Sequence, residues 1–232
     1  RSDEVIAAYH KIHSLPALKG SPIGFIGFSQ AGWVLPIVTN EMTPAFTVIV
    51  GGAVNWRHQG AYFTKRQLEA QGLSSEQVVY QVADNLTQND ATFASSDTLN
   101  PSLRPDMDPK RFAFVARNYN SDATPYLGTM QGPVLAIWGA NDQNVDPAYN
   151  HAIYQNMLQP NKEQSAVIVQ QATHGLLNAT WFDYQLPSEW PLWSQGLFIL
   201  MGHHAYAPNA LDTIGAWINK VARIKSVLPE TP

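Results

Sequence analysis

The stretch Ile23-Gly24-Phe25-Ile26-Gly27-Phe28-Ser29-Gln30-Ala31-Gly32-Trp33 constrains the fold more than any other part of the chain. A short apolar run ends at a serine set among small residues, and a helical pattern follows. That succession reads as strand, sharp turn, helix N-terminus. Small neighbours are required because the turn is tight and strained, so a bulky Cβ beside Ser29 would strike the strand or the helix. A serine held this way stands exposed at a strand end. It also faces the positive end of a helix dipole, where a developing oxyanion is stabilised. The pattern has Ala31 where a glycine is usual, and the same spacing also serves a plain structural turn.

Two later segments have the same form. Val134 to Trp138 is an apolar strand pattern running into Gly139-Ala140-Asn141-Asp142, and Ser165 to Val169 runs through Gln170 to Thr173 into His174-Gly175. Each places a polar residue just beyond a strand end, where open α/β sheets build their sites. The chain order is Ser29, Asp142, His174. Serine is a poor nucleophile without a base within reach, and a neutral imidazole suits that task near working pH. An acid then fixes the tautomer and stabilises the imidazolium. The candidate roles are Ser29 as nucleophile, His174 as base and Asp142 as its orienting acid, with the Gln30 backbone N–H as an oxyanion donor. Asp146 lies near Asp142, but Asp146-Pro147 is a helix cap followed by proline at the first turn, which gives Asp146 a structural task.

These segments resemble the α/β-hydrolase superfamily, and within it bacterial esterase-like, dienelactone-hydrolase-like and peptidase-like serine hydrolases. The elbow Gly27-Phe28-Ser29-Gln30-Ala31-Gly32-Trp33, the acid turn with Gly139, Asp142, Val145 and Pro147, and the pair His174-Gly175 carry the resemblance. It implies an α/β fold: a mostly parallel sheet with flanking helices and a helical cap insertion. It further implies carboxylic ester cleavage through an acyl-enzyme, with a small-molecule substrate and no cofactor. The same resemblance makes the start of the chain unusual. Such enzymes normally have several strands and a helix before the elbow, and a loop there supplies a second oxyanion N–H. The chain therefore reads as the C-terminal two-thirds of such an enzyme, with a missing N-terminal segment or chain expected to complete the sheet. A reduced fold is the other reading.

Composition narrows the alternatives. At 232 residues the chain suffices for one good-sized core, and a net charge of −4 offers no basic footprint for nucleic acid. No apolar run approaches the ~20 residues that span a bilayer. The richest, Leu192 to Met201, is broken by Ser194, Gln195 and Gly196. There is no cysteine, which removes disulfides, thiolate ligands and a thiol nucleophile. His10 and His13, and the adjacent His203 and His204, lack the further ligands a metal needs, so no metal site is expected. Compartment is not legible in the composition.

Along the chain, Asp3 to Ser14 reads as an amphipathic helix. The first half of the core is expected at residues 1–57, with a strand at 45–50 ended by Gly51-Gly52. Residues 58–130 carry long helical patterns without strand patterns and read as the cap, with a polar loop at 95–108 and a helix opening at Asp108-Pro109. Residues 131–232 resume the core and close on a helix at 210–224. Two further functions stay open: amide or peptide cleavage on the same fold, and a non-catalytic binding or assembly module.

Overall fold

The computed structural model describes residues 1–94 and 99–227. It divides into two compact units, Arg1–Val54 with Ala123–Pro232, and Asn55–Asp122. The α-helices are α1 (Ser2–His13), α2 (Ala31–Glu41), α3 (Trp56–Ala70), α4 (Ser75–Phe93), α5 (Pro109–Asn118), α6 (Thr124–Leu127), α7 (Pro147–Met157), α8 (Ala179–Phe182), α9 (Leu192–Met201) and α10 (Ala210–Val227). The strands are β1 (Phe25–Phe28), β2 (Thr47–Val50), β3 (Val134–Gly139) and β4 (Gln164–Val169).

In the first unit the strands form a wholly parallel sheet in the order β1-β2-β3-β4. Every residue of β2 and β3 is buried, as central parallel strands covered on both faces require. Val48, Val50, Leu135, Ile137 and Val169 share one face, and Ile214, Trp217 and Ile218 of α10 pack on it. On the other face Trp138 meets Tyr154 of α7 at a ring separation of 5.1 Å. The polar tips of both rings are satisfied: Trp138 Nε1 donates to the Gly52 carbonyl at 2.9 Å and the Tyr154 hydroxyl to that of Gly32 at 3.3 Å. Burial pushes the Tyr154 phenol up, which keeps it a donor.

β1 and β4 are the edge strands, and β1 carries the serine turn. Its register puts Ile26 beside Val48 and Phe28 beside Val50, yet these two side chains lie outside the cluster that α10 covers and are 52% and 57% exposed. Helix α1 packs near the same strand through Tyr9, whose ring lies 5.7 Å from that of Phe25. Its Val5 and Ile6 are half-buried, whereas Ala8 and Ile12, expected on the same apolar side, are exposed.

The second unit is helical, and each helix start is written in its sequence. The Asn55 side chain accepts from the His58 N–H, Ser74 and Gln77 form a reciprocal capping box, and Asp108 Oδ1 accepts from Lys110 and Arg111 N–H ahead of Pro109. Phe93, Phe112, Val115 and Tyr119 make its core. Arg57 grips Asp90 with two hydrogen bonds of 2.7 and 2.6 Å, and the Tyr119 hydroxyl also donates to Asp90. Those bonds hold the Asp90 carboxyl below the usual range. Tyr119 is pushed up to about 12, first by burial and then by its bond to Asp90.

The polar stretch at 95–108 lies partly outside the described residues, at 95–98, and holds a short 3₁₀ turn at Pro101–Leu103. Residues 123–130 belong to the first unit, where Leu127 and Met130 are fully buried. No described helix is long and apolar enough to cross a membrane.

Candidate active site

The serine turn is built by the β1–β2 ladder. Ser29 N–H donates to the Val50 carbonyl at 2.8 Å, one step beyond the end of β1. The backbone then takes φ +51° at Ser29, a left-handed conformation that costs a non-glycine residue about 1–2 kcal/mol. Helix α2 starts at once, with Gln30 as its N-cap, so the Gln30 N–H lies at the positive end of the helix dipole. The small residues of the motif are required by measurable contacts. A Cβ on Gly27 would lie 2.5 Å from that of Ala31, and one on Gly32 would lie 2.3 Å from the Ala53 carbonyl oxygen.

Asp142 follows β3 in a tight turn closed by its N–H to the Gly139 carbonyl at 3.1 Å. One carboxylate oxygen, Oδ1, accepts the Asn144 and Val145 N–H groups, both at 2.8 Å. The other, Oδ2, lies 2.8 Å from His174 Nδ1. The Asp142 side chain is fully buried and that of His174 is 24% exposed. A buried carboxylate is tolerated only when paired and hydrogen-bonded, and three partners meet that demand here. Asp146 instead caps α7, accepting the Tyr149 N–H at 3.0 Å.

His174 sits in a turn after β4, held by Thr173 N–H to Leu177 O at 2.9 Å and Leu176 N–H to Thr173 O at 2.9 Å. Two glycines seat this turn. A Cβ on Gly139 would lie 2.2 Å from the Ala172 carbonyl oxygen. A Cβ on Gly51, at φ +58°, would lie 2.8 Å from His174 Nδ1. The imidazole thus rests on the Gly51 Cα. Gly51 directly follows Val50, whose carbonyl takes the Ser29 N–H, and adjacent strands lie about 4.8 Å apart. Ser29, Gly51, Asp142 and His174 therefore converge on the C-terminal ends of the four parallel strands.

The chain has an α/β fold, a wholly parallel four-stranded sheet with flanking helices. The helical unit is inserted in the chain between β2 and β3. It is tied at its base by the Asn55–Asp122 bridge and the Trp56 N–H to Ser121 O bond of 3.0 Å. One residue that seats the imidazole escapes motif reading: Gly51, read only as the end of a strand; Gly139 is already part of the acid-turn motif. The signal available for Gly51 was its place at a strand end beside a second glycine. The remaining histidines have other surroundings. Tyr9 packs between His10 and His13, and the His203 and His204 rings lie 3.9 Å apart. Among the described residues no group of three metal-ligating side chains occurs.

No family model and no curated protein matches the chain. Among solved structures it is similar to Porphyromonas gingivalis dipeptidyl peptidase 4, at 20% identity and a TM-score of 0.44, covering 75% of this chain and 20% of that one. It is similar to the 2,6-dihydroxy-pseudo-oxynicotine hydrolase, at 12% identity and a TM-score of 0.47, covering 75% and 40%. It is also similar to a Pyrococcus furiosus esterase, at 13% identity and a TM-score of 0.46, covering 87% and 61%. The chain spans less than two thirds of the length of each of these three proteins. Overlaps of this depth carry nothing about substrate.

Proposed function

We propose that the chain carries the catalytic centre of a serine hydrolase acting on carboxylic esters. The observation that carries this reading is the 2.8 Å contact between His174 Nδ1 and Asp142 Oδ2, with the imidazole seated on the glycine next to the Ser29 turn. In the reaction Ser29 Oγ attacks the acyl carbon while His174 Nε2 takes its proton. Asp142 Oδ2 accepts from Nδ1, which leaves Nε2 as the basic nitrogen and stabilises the imidazolium. The carbonyl oxygen of the substrate becomes an oxyanion, and the Gln30 N–H at the start of α2 donates to it. The tetrahedral adduct collapses, the C–O bond to the alcohol breaks, and His174 returns the proton to the leaving oxygen. Water then attacks the acyl-Ser29 ester by the same steps, releasing the carboxylic acid and restoring the serine.

An amide or peptide bond would follow the same course with an amine as leaving group. The ester is favoured as the less demanding acyl donor for a site in which one backbone N–H, that of Gln30, is assigned to the oxyanion. The helical unit 55–122 would act as a cap that selects the substrate.

The test is covalent labelling by a fluorophosphonate, in which Ser29 Oγ displaces fluoride from phosphorus, together with hydrolysis of an activated ester such as p-nitrophenyl acetate. Labelling at Ser29 and turnover, both lost in Ser29→Ala and His174→Ala, are expected. A folded chain that neither labels nor turns over, with or without added N-terminal sequence, would leave the fold as a binding or assembly module.

A further inference from the structure

Helix α9 presents an apolar face to solvent. Around its axis Ser194, Leu197, Phe198 and Met201 turn inward, where Phe198 meets Phe182 and Trp190 at ring separations of 6.0 and 5.8 Å. The outward arc holds Leu192, Trp193, Ile199 and Leu200, which are 84%, 57%, 80% and 84% exposed. These four surround Gly196, which lies at the middle of the helix in both length and angle. A Cβ placed on Gly196 would meet nothing within 4 Å.

We infer that this face is a two-fold contact between two copies of the chain, with the α9 helices crossing at Gly196. Size is the first argument. The four side chains offer on the order of 500–600 Å² of apolar surface. That is at the top of the range a monomer ordinarily leaves exposed in one patch, and it is a large part of the roughly 800 Å² per partner of a stable interface. Shape is the second argument. A glycine at the centre lets two helix backbones approach closely, and four large side chains at the corners then interlock. A two-fold axis through Gly196 brings Leu192 and Trp193 of one copy against Ile199 and Leu200 of the other, so the surface is complementary to itself.

Charge is the third argument, and it separates the second copy from a lipid surface. Residues 192–201 hold no charged side chain, so apposing two copies sets no like charges together. Helices that lie in a membrane interface carry Lys and Arg on their polar face. Helix α9 has neither, and the chain is net negative at −4. This inference does not depend on the hydrolytic reading.

The test uses the whole chain in sedimentation velocity over a wide range of concentration. A reversible species of two 25.7 kDa chains is expected. The double variant Ile199→Asp, Leu200→Asp should weaken the dimer by on the order of 100-fold or more, and at concentrations low enough for the parent to be monomeric the two thermal midpoints should agree, because both positions are exposed in the monomer. The natural chain has no cysteine, so Gly196→Cys gives a clean second readout. Mild oxidation should yield a disulfide-linked dimer of Gly196→Cys but none of Glu76→Cys, an exposed position on α4. A monomer at every concentration overturns the inference, as does a dimer that survives the double variant or a Gly196→Cys chain that does not cross-link. Flotation with vesicles of phosphatidylcholine and phosphatidylserine that is lost in the double variant would assign the face to lipid and overturn it as well.

Discussion

Replacing Gly51 by alanine tests the seat of the imidazole without touching any group assigned a chemical role. The new Cβ would stand 2.8 Å from His174 Nδ1, 2.9 Å from Cε1 and 3.0 Å from the His174 carbonyl oxygen. Ordinary contact is about 3.5 Å or more, so the ring and its own backbone must retreat by roughly 0.7 Å. The ring cannot swing away alone, because the carbonyl of the same residue is also too close. Displacement of that size moves Nδ1 out of its 2.8 Å alignment with Asp142 Oδ2 and weakens the bond. Alanine must also adopt φ +58°, at about 1–2 kcal/mol. With overpacking at a seated turn, the loss of stability is about 2–3 kcal/mol. On the proposed function, turnover should fall on the order of 100-fold, as a misplacement near 1 Å does elsewhere. Urea unfolding and steady-state hydrolysis of an activated ester read the two effects on one preparation. A Gly51→Ala protein with the parent's stability and kcat would refute both the seating and its link to chemistry.

Asp142→Asn should lower kcat by up to ~10⁴-fold in the same ester assay, because an amide in that place selects the wrong imidazole tautomer. Asp146→Asn should leave kcat near the parent value. Gly139→Ala should be the most damaging glycine substitution near the site for stability. Its Cβ would meet two backbone oxygens, at 2.2 and 2.3 Å, and no side-chain rotation relieves that; loss of the cooperative urea transition is the readout. In the helical unit, Asp90→Asn should cost about 1 kcal/mol at neutral pH, a value held down by the solvent that reaches the pair. The Asp90 carboxyl is depressed when folded, so its contribution is full above the unfolded value near 3.9 and is lost as pH falls through the folded value. Parent and Asp90→Asn unfolding curves should therefore converge in strong acid, and a gap that persists there would contradict the assignment.

Some of this protein is legible in the sequence because the physics involved is local. Helix starts at Asn55, Ser74, Asp108 and Asp146 are short-range side-chain-to-backbone bonds, and their residues stand within a few positions of one another. The nearly unbroken apolar runs of β2 and β3 announce central parallel strands, because such strands have no solvent face. The small residues around Ser29 announce a tight turn for the same kind of reason. Other features belong to the tertiary structure. The choice of Asp142 over Asp146 is legible from the Asp146-Pro147 cap, but the hold on the carboxylate is not: two N–H groups on Oδ1 leave Oδ2 for His174. Gly51 becomes the seat of the imidazole only when β2 is placed between β1 and β3. Residues 123–130 look continuous with the helical segment before them, yet Leu127 and Met130 are buried in the other unit. Helix α9 reads as a broken apolar run, and only the fold shows which of its residues turn inward and which are left facing water. Sequence periodicity records that a face is apolar; what covers that face is settled by chain segments distant in sequence.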